Sequence, residues 1–318
     1  MTSAMTDDDV LRGELRDHLV AAMQRVPELA GRELRLTALS GGITNRNYLV
    51  DVAGTPDRYV IRLAGNDTHL LGISREVEHA ATVAAAGVGV GPEVVGFIRP
   101  EGYLVTRFIE GKPLDEAEAH KPATLARVAD SLRRFHEGPA IPGLFIPLRI
   151  VDAYRALAVS RGVRIPAEYE LSRSLGRRIE LALLAAPLDL QPCHNDLLNA
   201  NFIDDGSRIR IVDWEYAGMG DVFFDLANFS VNHGLSVDED AALVTAYDGG
   251  TPRPDRLARL LLMRVVSDFR EAMWGVLQQG ISTLEVDFAA YTDEHFQRLL
   301  RNAATPAFER ALREAAPD

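Results

Sequence analysis

Residues 191–228 gather polar side chains of the kinds that can move a phosphoryl group. The stretch begins Q-P-C-H-N-D-L-L-N-A-N and runs on through I-V-D-W-E-Y to F-D-L-A-N. His194, Asp196 and Asn201 therefore precede Asp213, which ends a short apolar run, and Asp225 follows. Phosphoryl transfer needs one carboxylate beside the attacking hydroxyl, and an amide and a second carboxylate to hold magnesium on the nucleotide phosphates. H-x-D-x-x-x-x-N followed by I-V-D supplies that set in order. Any single aspartate here could equally sit in a polar loop beside a β-hairpin, since D-D-G at 204–206 is a good turn. The whole set together is much harder to explain that way.

Elements upstream must then hold a nucleotide. Residues 34–52 alternate in polarity on both sides of S-G-G-I-T-N at 40–45, which predicts two strands joined by a turn. In that turn Ser40, Gly41 and Gly42 let backbone N–H groups approach a phosphate, and Thr44 or Asn45 adds a side-chain donor. A plain hairpin turn is the alternative. Residues 59–63 read as a third strand, with Arg62 where an ATP-cradling strand carries its basic residue, usually Lys. Arginine stays charged and can fork onto a phosphate or carboxylate. The helix predicted over 74–86 places Glu78 as the brace for Arg62, with Glu76 a more solvent-facing rival. Two further strands, 94–98 and 103–108, break into I-E-G-K-P-L at 109–114. That break suits a hinge whose backbone meets an adenine edge near Arg107, Phe108 and Ile109. We place the boundary between two lobes there, 1–110 and 111–318.

The remaining pattern is helical. Apolar spacing predicts helices over 8–29, around Leu125, Val128, Leu132 and Phe135, over about 152–160 and 167–185, and over 237–247. Ser236 with Glu239 forms a capping-box signal for the last of these. Residues 139–150, rich in proline, read as a loop. A long helix after Pro254 carries Arg264, Asp268 and Trp274, and one final amphipathic helix runs from Tyr291. His136, at the end of its stripe, reads as a packed or capping residue.

Composition narrows the partners. The 318 residues carry 34 basic and 46 acidic side chains, a net charge of −12, which argues against nucleic acid and is compatible with a cationic substrate. One cysteine, Cys193, excludes an internal disulfide and reads as a small apolar residue ahead of the catalytic loop. The acidic first residues do not form a signal peptide, and no run reaches about 18 apolar residues, so neither export nor a membrane span is expected and the cytoplasm is.

Taken together, S-G-G-I-T-N-R-N-Y, Y-V-I-R-L, H-N-D-L-L-N-A-N, I-V-D-W-E-Y-A-G and M-W-G-V-L-Q-Q-G-I-S-T-L-E resemble the choline/ethanolamine kinase branch of the aminoglycoside-phosphotransferase-like kinases. The likeness covers about 36–300. It implies an α+β, two-lobed protein-kinase-like fold, with a small antiparallel-sheet N-lobe and a larger, mainly helical C-lobe. It also implies ATP and Mg2+ as cofactors and a small cationic alcohol as acceptor, choline or ethanolamine before an aminoglycoside or thiamine. A nucleotide-binding module without turnover is the competing class. By position Asp196 would be the catalytic base, Asn201 and Asp213 the magnesium ligands, and His194 and Asp225 braces of the loop. Glu215 and Tyr216 would lie beside the acceptor, with Trp274 one wall of an aromatic cation box. The pattern departs at Leu277, where a second tryptophan is usual, and at Asn232, where an acidic residue is.

Overall fold

In this computed structural model residues 13–39, 45–65, 68–184 and 189–315 are described. Helix α1 (Glu14–Met23) buries Leu19, Ala22 and Met23. It ends at Met23 rather than near 29, and Val26 and Leu29 reach the same core from the turns that follow. The start of that expected helix, with Asp7, Asp8 and Asp9, lies outside the described residues.

Strands β1 (Leu34–Ala38), β2 (Arg46–Val52) and β3 (Arg58–Leu63) pair antiparallel in sequence, with Leu36 opposite Val50 and Tyr48 opposite Ile61. The period of two sends Tyr59, Ile61 and Leu63 of β3 into the core and turns Arg62 to the other face. Helix α2 (Arg75–Gly87) starts at Ser74, whose hydroxyl accepts from the Val77 N–H. Strands β4 (Val94–Ile98) and β5 (Tyr103–Arg107) complete a five-stranded antiparallel sheet in the order β1-β2-β3-β5-β4. Leu36, Val50, Ile61 and Val105 share a small core with α1. Ala81 and Ala85 of α2 instead join the larger core that follows, so α2 packs across to the helical part.

Beyond Arg107 the chain passes β6 (Lys112–Pro113) and α3 (Glu116–Ala119) into α4 (Pro122–His136), α5 (Pro147–Ser160) and α6 (Glu168–Leu183). Helix α5 starts inside the stretch expected to be a loop, because Pro147 occupies a first-turn position where its missing N–H costs nothing. Strands β7 (Gln191–Cys193), β8 (Phe202–Asp204), β9 (Ile209–Ile211) and β10 (Gly218–Gly220) form two small sheets, β10-β7 and β6-β8-β9. Helices α7 (Val222–Asn232), α8 (Val237–Asp248), α9 (Pro254–Ile281), α10 (Phe288–Ala303) and α11 (Pro306–Glu314) complete the chain. The capping box of Ser236 and Glu239 is present at α8. Helix α9 lies against α5, α7, α10 and α11, so even its charged Asp268, Arg270 and Glu271 are buried. The single terminal helix expected from Tyr291 is two, since Pro306 cannot continue α10 and Thr305 caps a new start. The result is the small antiparallel-sheet lobe and larger helical lobe that the resemblance implied. Among the described residues no helix is long and apolar enough to cross a membrane.

Candidate active site

The loop after β7 is held from behind by α7. Asp225, fully buried, accepts from the backbone N–H of His194 (2.8 Å) and of Asn195 (2.7 Å), and pairs with His136 Nε2 (3.0 Å). One turn later Asn228 accepts from the Leu197 N–H (2.6 Å) and donates to Ser267 on α9 (3.0 Å). Asn195 adopts φ 69°, a left-handed conformation that asparagine tolerates, and its amide bonds the carbonyls of Cys193 and Tyr216. His194 Nδ1 accepts from the Asp196 N–H (3.2 Å), so Nε2 carries the proton that it donates to the Val212 carbonyl (2.9 Å). Burial lowers the His194 pKa and keeps the ring neutral. Asn201 donates from Nδ2 to the Asp196 carbonyl (2.8 Å), which leaves its Oδ1 as an acceptor. Asn232, expected at the acceptor, instead donates to the Leu197 carbonyl and to Asn228, both at 3.3 Å, behind the loop. Three residues from α7, one of them backed by His136 of α4, thus hold the loop that presents Asp196.

On the nucleotide side Arg62 bridges two carboxylates. Its Nη1 pairs with Glu78 on α2, and its Nη2 lies 2.6 Å from Asp213. Asp213 also takes φ 69°, a conformation uncommon for aspartate that residues at functional sites retain. Burial works against the charge on Arg62, but Asp213, Glu78 and Glu215 outweigh it and raise its pKa. Glu76 is the exposed partner of Arg99, as its rival status suggested. A second arginine, Arg75, joins Glu78 (2.6 Å), Glu215 (3.2 Å) and the Asn45 amide oxygen (3.1 Å). Asn45 also donates to Glu215 (2.8 Å), so both residues belong to this cluster between the lobes. Burial and the nearby Asp213 push Glu215 up to about 7, against Arg62 and Arg75. Ser40, Gly41, Gly42 and Thr44 lie outside the described residues. At the hinge the N–H groups of Arg107 and Phe108 donate to the Glu93 (2.8 Å) and Arg58 (2.9 Å) carbonyls. Among the described residues the Ile109 N–H has no such backbone partner. The Arg107 side chain points to Glu93 on the surface.

The other side of Asp196 is lined by α9 and α10. Trp274 donates from Nε1 to the Tyr216 hydroxyl (3.0 Å), and its ring meets Tyr291 edge-on at 5.5 Å and Phe288 at 5.7 Å. Gly275 permits that approach, since a Cβ there would stand 2.6 Å from Thr292 Oγ1 and 2.9 Å from the Tyr291 ring. Leu277 is fully buried. One turn before Trp274, Arg270 stacks on the Tyr216 ring with Cζ 4.3 Å from its centroid. Its Nη1 pairs with Glu271 (2.5 Å) and lies 3.8 Å from Asp196. Glu271 also accepts from the Tyr291 hydroxyl (2.8 Å). Burial pushes the Asp196 pKa well up, Arg270 pulls it down, and Glu271, Asp213 and Glu215 add to the rise.

A loop presents an aspartate, an amide and a second aspartate between a sheet lobe and an aromatic pocket, and the family model "Phosphotransferase enzyme family" matches residues 35–260. The chain belongs to that family. A choline/ethanolamine kinase family protein from Mesorhizobium loti has a solved structure that is 33% identical, with a TM-score of 0.82 over 95% of this chain and 99% of that one. Protein LicA of Haemophilus influenzae is 26% identical over 65% of this chain, and the match spans 61% of LicA's own length. Human ethanolamine kinase 1 is 24% identical over 93% of this chain and 74% of that protein. The likeness places this phosphotransferase in the choline/ethanolamine kinase branch.

Several residues at the phosphotransferase's site were not singled out from sequence. Arg75, Asn195 and Asn228 act through the backbone or through side chains remote in sequence, and carry no local signal. Arg270 and Glu271 do carry one: a charged pair in D-F-R-E-A-M-W-G lies on helix positions that are otherwise apolar.

Proposed function

We propose that this protein is an MgATP-dependent kinase for the hydroxyl of a small amino alcohol, the acceptor class that its relatives' names give as choline or ethanolamine. The observation that carries the reading is the convergence of Asp196, Asn201 and Asp213 between Arg62 on one side and the pocket of Tyr216, Trp274 and Tyr291 on the other. Asp196 orients the acceptor hydroxyl and takes its proton as the oxygen bonds to the γ-phosphorus. The bond from that phosphorus to the β-γ bridging oxygen breaks, and ADP leaves with the electron pair. Asn201 and Asp213 offer only oxygen ligands, an amide and a carboxylate, which suits a hard divalent cation. Bound there, Mg2+ would neutralise charge on the phosphates. His194 and Asp225 keep the loop in place, Arg62 with Glu78 holds the nucleotide phosphates, and Ile109 meets the adenine edge. Because the transition state is loose, positioning and electrostatics provide most of the rate. The need for ATP fits a place in the cytoplasm.

ATP consumption with magnesium against choline, ethanolamine, thiamine and one aminoglycoside tests this reading. Turnover on an amino alcohol is expected, abolished by chelating the metal. Asp196→Asn lowers kcat by about 10²–10⁴-fold, the usual share of a general base, with an unchanged melting temperature. A variant that turns over near the normal rate removes Asp196 from its role.

A further inference from the structure

Asp268 on α9 is a fully buried carboxylate for which phosphoryl transfer has no use. Its partners come from α10. Arg298 donates from Nη2 to Oδ1 (2.6 Å) and from Nε to Oδ2 (3.1 Å), a forked contact that fixes orientation as well as distance. His295 Nδ1 meets the same Oδ1 at 3.0 Å. The His295 ring also packs on that of Tyr291, with centroids 4.4 Å apart, and the Tyr291 hydroxyl donates to Glu271 (2.8 Å). Beyond Gly275, where α10 comes closest, Gln279 donates to Thr292 (3.2 Å).

These contacts fall in order along two helices that run in opposite directions. Asp268, Glu271, Gly275 and Gln279 share one face of α9, and Arg298, His295, Tyr291 and Thr292 share the facing side of α10. Apolar packing has no direction of its own, so it leaves such a pair of helices free to slip. A slip of one turn, about 5.4 Å, would carry Tyr291 away from both Glu271 and Trp274. A buried ion pair contributes little net stability, because desolvation offsets the attraction, and apolar side chains of similar size often do as well. What Asp268 and Arg298 add is alignment: the fork closes on the carboxylate at one register only.

We propose that Asp268, His295 and Arg298 are positioning residues for the acceptor, which fix the register of α10 on α9 and so hold Tyr291 as a wall of the acceptor pocket. The proposal rests on the kinase reading, in which Tyr291 lines that pocket. None of the three needs to touch either substrate.

A triple variant, Asp268→Met with His295→Phe and Arg298→Met, replaces the charged group by apolar side chains, and its urea midpoint is expected to hold or rise. KM for ethanolamine or choline, whichever the wild type turns over, is expected to rise about tenfold, the worth of one aromatic wall to a cation. KM for ATP is expected to stay at the wild-type value. Arg298→Met alone should raise the acceptor KM in the same way, and Arg298→Lys, which keeps the charge without the fork, should raise it less. In a Tyr291→Ala background Arg298→Met should add no further rise, because the wall it positions is already gone. An acceptor KM at the wild-type value in the triple variant overturns the proposal and leaves the kinase standing. So does an equal rise in both KM values, or a full further rise in the Tyr291→Ala background. Should the triple variant not fold, Arg298→Met, whose side chain is 26% exposed, decides on the same readings. A wild type that consumes ATP with none of the alcohols overturns the kinase reading and this proposal with it.

Discussion

Asp225 shows how one buried side chain can fix the geometry of a neighbouring catalytic group. It accepts two backbone N–H groups of the loop and faces His136, which in turn bonds the Tyr247 hydroxyl at 2.7 Å. His136, Cys193 and Asp225 lie close enough together to suggest a metal site, but these hydrogen bonds already satisfy the histidine and the carboxylate. Asp225→Ala would orphan two buried N–H groups and a histidine nitrogen, each worth about 1–3 kcal/mol. Urea unfolding should show a loss of at least about 3 kcal/mol, and kcat should fall because Asp196 rides on the released loop. Asp225→Asn should recover only part of both, since an amide cannot accept at both positions. Equal stability in Asp225→Ala would mean that α7 rather than this carboxylate holds the loop.

At the scale of elements, the β8–β9 hairpin connects the catalytic loop to Asp213. Its turn is organised by Asp205, which accepts from the backbone N–H of Ser207 (2.8 Å) and Arg208 (2.7 Å) and from the Ser207 hydroxyl (2.8 Å). Partial burial alone would raise the Asp205 pKa, but these bonds and Arg210 lower it to about 2. A carboxyl depressed in the folded state stabilises the fold above its unfolded pKa, near 4, and loses that contribution as pH falls toward 2. Asp205→Asn should therefore cost about 2 kcal/mol at pH 7 and clearly less at pH 3. Urea midpoints of the two proteins at both pH values measure it. A gap that does not shrink on acidification would mean the turn needs the shape of Asp205 and not its charge.

Across the whole molecule, the lobes meet through charge. Arg62 from the sheet, Asn45 just before β2 and Arg75 from α2 face Asp213 and Glu215 from the helical lobe. Contacts to the Val90 carbonyl, just after α2, reinforce this, with the Arg210 guanidinium donating to it at 3.1 Å and the Ile211 N–H at 3.0 Å. A nucleotide held between the lobes should stabilise both together. At a hundredfold excess over Kd, ATP with magnesium should add about 2.7 kcal/mol, read as a rise in Tm. Arg62→Met should lose most of that rise and leave Glu78 only Arg75 as a partner. A full ATP shift in Arg62→Met would move the phosphates elsewhere.

Short-range chemistry made much of this protein legible from its residues. Alternation in β1 to β3, the Ser74 and Ser236 caps, and the order of His194, Asp196, Asn201, Asp213 and Asp225 are local patterns, each tied to a backbone period or a spacing along the chain. The Arg62–Glu78 pair was also readable, because strand and helix follow each other directly. Helix ends were less so, since Pro147 and Pro306 can start a helix as readily as end one. Tertiary structure alone decided the rest. Asn232 turned to the back of the loop, Glu215 and Asn45 joined Arg75 between the lobes, and Arg270 came to lie against Tyr216 and Asp196 from a helix far along the chain. The physical reason is that a period in sequence specifies which face a side chain occupies, whereas its partner depends on which other elements pack there. A buried charge takes its meaning from that partner, or from the lack of one.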